Sequence, residues 1–193
     1  MLSAVEYVAK ASIEGPPRSG IILGIRMSLL AMKLLEIDEP SKYQRKLIVG
    51  VETDRCLPDV VELVIDCRLG NRTLRFRDWG KMAATFLDLV RNRAFRVAAR
   101  ESVEAEAARS FGRLPRDEAL KEAYTLFADG KLFKWQLAVV KFSPEDLPGY
   151  RTKRVPCERC GEGIGFRREV RKDGLRLCRA CAGEAYWLSA EVT

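Results

Sequence analysis

The sequence predicts an α+β protein: a small antiparallel sheet packed with helices, followed by a helical connector and a compact C-terminal cysteine module. Three observations carry this expectation. Strand-like runs are grouped between residues 46 and 99 instead of alternating with helices, which argues against a doubly wound sheet. Before that group, apolar residues recur at helical spacing. Beyond residue 155, four of the six cysteines fall into two CxxC pairs.

The elements follow in order. Residues 3–12 and 18–36 read as helices, the second strongly so, because Ile21, Ile22, Ile25, Leu29, Met32 and Leu35 recur three and four positions apart. Pro40 ends that region, and the β-branched stretch KLIVGVE at 46–52 reads as a buried strand. A helix is expected at 58–65. Strand-like runs at 72–77, 81–90 and 93–99, separated by Asp-Trp-Gly and Arg-Asn turns, suggest an antiparallel meander. In its first strand Leu74 and Phe76 would face the core and Arg75 and Arg77 the solvent. From 101 to about 140 the composition turns helical, with breaks at Leu114-Pro115 and Asp129-Gly130. Pro144, Pro148 and Gly149 mark a linker. The expected divisions are a body at 1–100, a helical connector at 101–142, a linker at 143–154 and the module at 155–193.

Composition narrows the function classes. The 193 residues are 47% hydrophobic and 32% charged, values of a folded globular chain. The longest apolar run, 20–35, contains Arg26 and Lys33, so no membrane span is expected. The N-terminus lacks a basic start and has Glu6 where a secretory signal would be apolar, which points to a cytoplasmic protein. A net charge of +7 favours an anionic partner.

Cys157 and Cys160 are separated from Cys178 and Cys181 by residues 161–177, within the spacing of a four-cysteine zinc site. Gly161 follows the first pair and permits the tight turn that brings two thiolates to one ion. The stretch between the pairs reads as a hairpin around Asp173-Gly174. Four thiolates close the tetrahedron, so one structural zinc per chain is expected; a rubredoxin-like iron site is the alternative. Ten Lys and Arg stand against four Asp and Glu between residues 151 and 179. Arg167, Arg168, Arg171 and Lys172 could therefore contact RNA or the ribosome through phosphates, or form a solvated surface that offsets the thiolates.

Further motifs run through the body. Gly20, Gly24 and Arg26 lie at the start of the long helix; Glu52, Cys56 and Asp59 follow; Cys67, Gly70, Asp78, Gly80 and Lys81 come last. Over roughly residues 13–100 this pattern resembles the FmdE family of formylmethanofuran dehydrogenase, many members of which carry a C-terminal cysteine module. The resemblance implies a homodimer and a role in one-carbon metabolism, as an enzyme or an accessory component beside a molybdenum or tungsten enzyme. Members begin with His-Gly-His-x-Cys-Pro-Gly. This chain has Glu14, Pro16 and Arg18 at those histidine and cysteine positions, and no histidine anywhere. The metal or reactive pocket implied by the family would be disabled. Cys56 and Cys67 then read first as buried thiols, with a redox pair or a partial metal site as alternatives. Asp78 and Lys81 are pocket remnants or turn residues.

Arg75, Arg77, Arg93 and Arg96 lie on the proposed sheet, with Trp79 and Phe95 nearby. Such a face could bind RNA by charge and stacking, or be a solvated face or dimer interface. No helix-turn-helix is recognisable, which disfavours DNA regulation. The expected function is a zinc-containing, non-catalytic binding protein whose partner is RNA or a ribonucleoprotein such as the ribosome.

Overall fold

A computed structural model describes residues 1–12 and 15–188. The chain divides into two units, Met1–Lys141 and Phe142–Thr193.

In the first unit, helix α1 (Ala4–Ala11) opens with a capping box: the Ser3 hydroxyl accepts from the Glu6 amide, and the Glu6 carboxylate accepts from the Ser3 amide at 2.8 Å. Helix α2 (Ser19–Leu35) is buried along most of its length, as its continuous apolar pattern requires. It ends where Glu36 turns left-handed and the Ile37 amide reaches back to the Met32 carbonyl at 2.9 Å. Strand β1 (Leu47–Val51) leads to helix α3 (Leu57–Ile65), which starts with Pro58 in its first turn and stops at left-handed Asp66. Strands β2 (Leu74–Phe76), β3 (Ala83–Asp88) and β4 (Arg93–Ala99) follow. Then come helices α4 (Ser102–Phe111), α5 (Arg116–Leu126) and the short α6 (Asp129–Leu132), and strand β5 (Phe133–Ala138).

The sheet order is β2-β1-β3-β4-β5. Register places Leu74, Val49, Phe86 and Phe95 in one cross-strand row and Phe76, Val51, Ala84 and Val97 in the next. Except for Phe76, these side chains share one core with Ile25, Met32, Leu35, Val60 and Val61 of the helices. Gly24 lets α2 approach α3: an added Cβ would lie 3.2 Å from a Val60 methyl.

Three local expectations are corrected. The sheet is antiparallel except at one edge, where β2 pairs parallel with β1 and not with β3, so the meander begins at β3. Alternation identifies a strand but not its neighbour. Phe76 is 40% exposed at that edge, while Leu74 is buried and Arg75 is half-buried. Residues 133–138, expected to be helical, form the opposite edge of the sheet against β4. Their Phe133, Trp135 and Leu137 alternate as a strand requires.

The second unit is held by short ladders. Strands β6 (Val155–Pro156) and β7 (Gly163–Ile164) pair, as do β8 (Val170–Lys172) and β9 (Leu175–Leu177). Asp173 and Gly174 both have positive φ, which suits the two-residue turn between β8 and β9. Its core is small: Cys157, Ile164 and Leu177, with Val155 and Ala182 against them. Among the described residues no helix is long and apolar enough to cross a membrane.

Candidate functional site

The sulfurs of Cys157, Cys160, Cys178 and Cys181 lie within 4.8 Å of one another. Cys160 Sγ and Cys178 Sγ are 3.9 Å apart, close to the ~3.8 Å that a tetrahedral zinc with Zn–S bonds of about 2.3 Å imposes. The turns supply amides to the sulfurs: Cys178 N–H donates to Cys157 Sγ at 3.3 Å, and Cys181 N–H to Cys178 Sγ at 3.4 Å. Backbone amides, first those of Cys160 and Cys178, hold the Cys157 thiol down to about 6. The neighbouring Cys178 thiol, together with burial, pushes Cys181 up to about 12. One cation bound by all four thiolates removes that conflict. The quartet holds one structural zinc, and with four protein ligands it has no open coordination position.

The basic residues around it serve the module's own backbone. Arg159 donates to the Cys181 carbonyl, Lys172 to that of Ala182 at 2.9 Å, and Arg154 to that of Gly163 at 2.5 Å. Arg168 pairs with Asp146 at 2.5 Å. Arg167 and Arg171 are exposed and form no ion pair among the described residues.

On the sheet, charge is likewise compensated. Arg96 grips Glu52 through two bonds of 2.6 Å, with the Glu52 side chain only 5% exposed. Arg93 pairs with Glu36 at 3.2 Å and covers the Phe95 ring. Arg77 is exposed and donates to the Phe76 carbonyl. The four arginines therefore do not make one free basic face. The Glu52 and Arg96 partnership spans forty-four positions and has no local signal.

Cys56 and Cys67 cap opposite ends of α3, which holds them about 16 Å apart along the helix, too far for a disulfide. Cys67 is buried beside the Leu47 carbonyl, and burial pushes its thiol up to about 12. Cys56 is half-buried and lines a cavity of about 500 Å³. Arg18 also lines it, together with Arg55, Arg100, Arg116, Glu104 and Asp117, which sequence reasoning did not single out because they come from distant segments. Pro16 is exposed and Glu14 lies outside the described residues. Asp78 and Lys81 are exposed in the turn before β3 and do not line the cavity; Lys81 approaches the Trp79 ring at 5.8 Å, and its amide donates to the Glu52 carbonyl.

Comparison with known proteins accounts for both units. The family described as "FmdE, Molybdenum formylmethanofuran dehydrogenase operon" matches residues 16–147, and the "Prokaryotic dksA/traR C4-type zinc finger" matches residues 148–186. A "Probable S-adenosyl-L-methionine-binding protein" of Archaeoglobus fulgidus is 29% identical over 184 residues, covering 86% of this chain. The chain spans about half of that relative's length, 49%. The crystal structure of an FmdE-like protein of tungsten formylmethanofuran dehydrogenase from Syntrophus aciditrophicus superposes with a TM-score of 0.63 at 26% identity, covering 97% of this chain and 96% of that one. The first match takes in most of the chain and the second takes in the zinc quartet; this chain belongs to the FmdE family and carries a dksA/traR-type four-cysteine zinc finger after the family domain.

Proposed function

We propose that this chain is a zinc-stabilised, non-catalytic binding protein of its family, with the cavity beside Cys56 as its ligand seat. The observation that carries this reading is the lining itself. Where the resemblance implies imidazoles and a thiolate from the segment before α2, the cavity has Arg18, and Cys56 is its one cysteine among the described residues. Among those residues, the four-cysteine quartet is the sole cluster with the donors and spacing to hold a metal. The cavity's volume suits a small metabolite. The curated relative's name offers S-adenosyl-L-methionine as the first ligand to try. Elemental analysis tests the reading: one zinc per chain, lost on Cys157→Ser with Cys160→Ser, supports it. A second equivalent of transition metal that survives that double substitution and is lost on Cys56→Ala would overturn it.

A second reading, binding to RNA or a ribonucleoprotein, draws on the loop before β8. Phe166 and Arg167 both adopt left-handed φ there, and Phe166 is 45% exposed next to Arg167. An exposed ring beside a guanidinium suits base stacking with phosphate contact. Retention of RNA that fades with salt and is weakened by Arg167→Ala with Arg171→Ala supports it; retention unchanged by that pair counts against it. The accessory role beside a molybdenum or tungsten enzyme is compatible with the family description, and co-purification of such an enzyme would favour it. The homodimer implied by the resemblance has a candidate seam at the β5 edge, where Trp135 and Leu137 are exposed.

A further inference from the structure

Four helices begin at the cavity beside Cys56. Arg18, Ser19 and Gly20 bring the start of α2 to it, Arg55 and Cys56 that of α3, Glu101 and Glu104 that of α4, and Arg116 and Asp117 that of α5. The first two starts touch, since a Cβ added at Gly20 would lie 3.2 Å from Cys56 Sγ.

The charges lining the cavity do not cancel. Glu104 is taken up by Arg116 through two bonds of 2.5 and 2.9 Å. Asp117 accepts from the Ser19 hydroxyl at 2.6 Å and pairs with Lys121 at 3.1 Å. Arg100 spends its Nε on the Gly130 and Phe133 carbonyls, which do not neutralise it. Arg18 and Arg55 are exposed at the rim and form no ion pair among the described residues. Three guanidinium charges thus stand against one lining carboxylate not engaged by a cation, Glu101. The helix ends add to that excess, because the N-cap residues of α2 and α3 place no side chain on the first-turn amides, and each N-terminus carries partial positive charge.

We infer that this cavity seats a small phosphorylated metabolite, its phosphate gripped by Arg18 and Arg55 where α2 and α3 meet. Planar guanidinium forks match phosphate oxygens two at a time, and a dianion satisfies both arginines. The volume of about 500 Å³ accommodates a mononucleotide-sized ligand. The inference rests on the binding reading above and sharpens it from a seat to a ligand class.

Cys56 provides the reporter. The test is the rate of iodoacetamide labelling of Cys56 in full-length, zinc-loaded protein, read by peptide mass spectrometry, with AMP and pyrophosphate as probes and adenosine and S-adenosyl-L-methionine as comparators. AMP and pyrophosphate are expected to slow labelling. Arg18→Gln and Arg55→Gln should each raise the half-protecting concentration about tenfold, as loss of a charge-assisted bond does. Both side chains are exposed, so the melting temperature should hold, which separates lost binding from lost folding. Protection by adenosine or S-adenosyl-L-methionine alone would overturn the phosphate inference and leave the ligand seat standing. Protection by none of the four would overturn the inference and count against the seat as well. Phosphate protection unchanged in both variants would remove Arg18 and Arg55 from the site.

Discussion

In the C-terminal unit four cysteines gather within 4.8 Å at the ends of two turns, whereas in the N-terminal unit Cys56 and Cys67 sit at opposite ends of one helix. The contrast follows from how much each unit can bury. The body packs helices and sheet around a large apolar core in which Cys67 is one more buried side chain. The module buries three residues, one of them a ligand cysteine. A core that small cannot offset the conformational entropy of ordering the chain, so the ion supplies what packing does not. Thiols in the body are filler; in the module they are the fold.

The largest effect that would break or sharpen this contrast is metal removal. Structural zinc sites of this kind contribute roughly 10–16 kcal/mol of apparent binding free energy at neutral pH. A strong chelator should abolish hydrogen-exchange protection across 155–182 and leave the amides of α2, β1 and β3 protected. Loss of protection in those body elements as well would show that zinc also supports the body.

The body's counterpart is Arg26, whose side chain is 18% exposed. It donates to the carbonyls of Tyr124, Thr125 and Phe127 and pairs with Asp129 at 2.7 Å, satisfying the end of α5. Arg26→Ala should cost about 2–4 kcal/mol in denaturant unfolding of the body, with zinc content unchanged. Lysine should not restore it, since one ammonium cannot reach three carbonyls in the fork's geometry.

Cys67 gives a smaller, pH-dependent effect. Burial raises its thiol from 9.0 to about 12, so folding holds a proton that the unfolded chain releases. The sign follows from linkage: this contribution is complete below pH 9 and is lost as pH rises from 9 towards 12. Cys67→Ala should remove that part of the alkaline destabilisation while leaving a cavity cost present at every pH. An unchanged alkaline slope would mean that Cys67 is not the group responsible.

How far the sequence foretold this arrangement depends on the range of the signal. The zinc quartet was legible because its spacing is local and each knuckle is written in four residues. Helices α1 to α3 and strands β1 to β4 were legible from periodicity within single windows. Strand β5 was missed although Phe133, Trp135 and Leu137 alternate, because the breaks around it read as helix ends. The parallel partner of β2 was hidden because pairing is a long-range choice. The same holds for the arginines: Arg93 and Arg96 look free in sequence, and their carboxylates, Glu36 and Glu52, come from distant segments. The cavity was the least legible feature, as it is assembled from the starts of four helices between residues 18 and 117.

The finest version of the contrast compares two glycines. At Gly24 the limit is space: a Cβ would meet Val60 atoms at 3.2–3.3 Å, and a β-branched side chain on a helix has little rotamer freedom to withdraw. Gly24→Ala should cost about 1–3 kcal/mol by overpacking, reduced by the helix propensity that alanine gains. Pairing it with Val60→Ala should return part of that loss, giving a coupling that a double-mutant cycle would measure. At Gly161 the limit is conformation: φ is +79° and nothing lies within 4 Å of the added Cβ. Gly161→Ala should cost about 1 kcal/mol through the left-handed backbone alone, Gly161→Asn less, and no truncation of a neighbour should restore it. If Gly161→Ala were instead as costly as Gly24→Ala, the module would be limited by packing like the body, and the division between a metal-held unit and a core-held unit would fail.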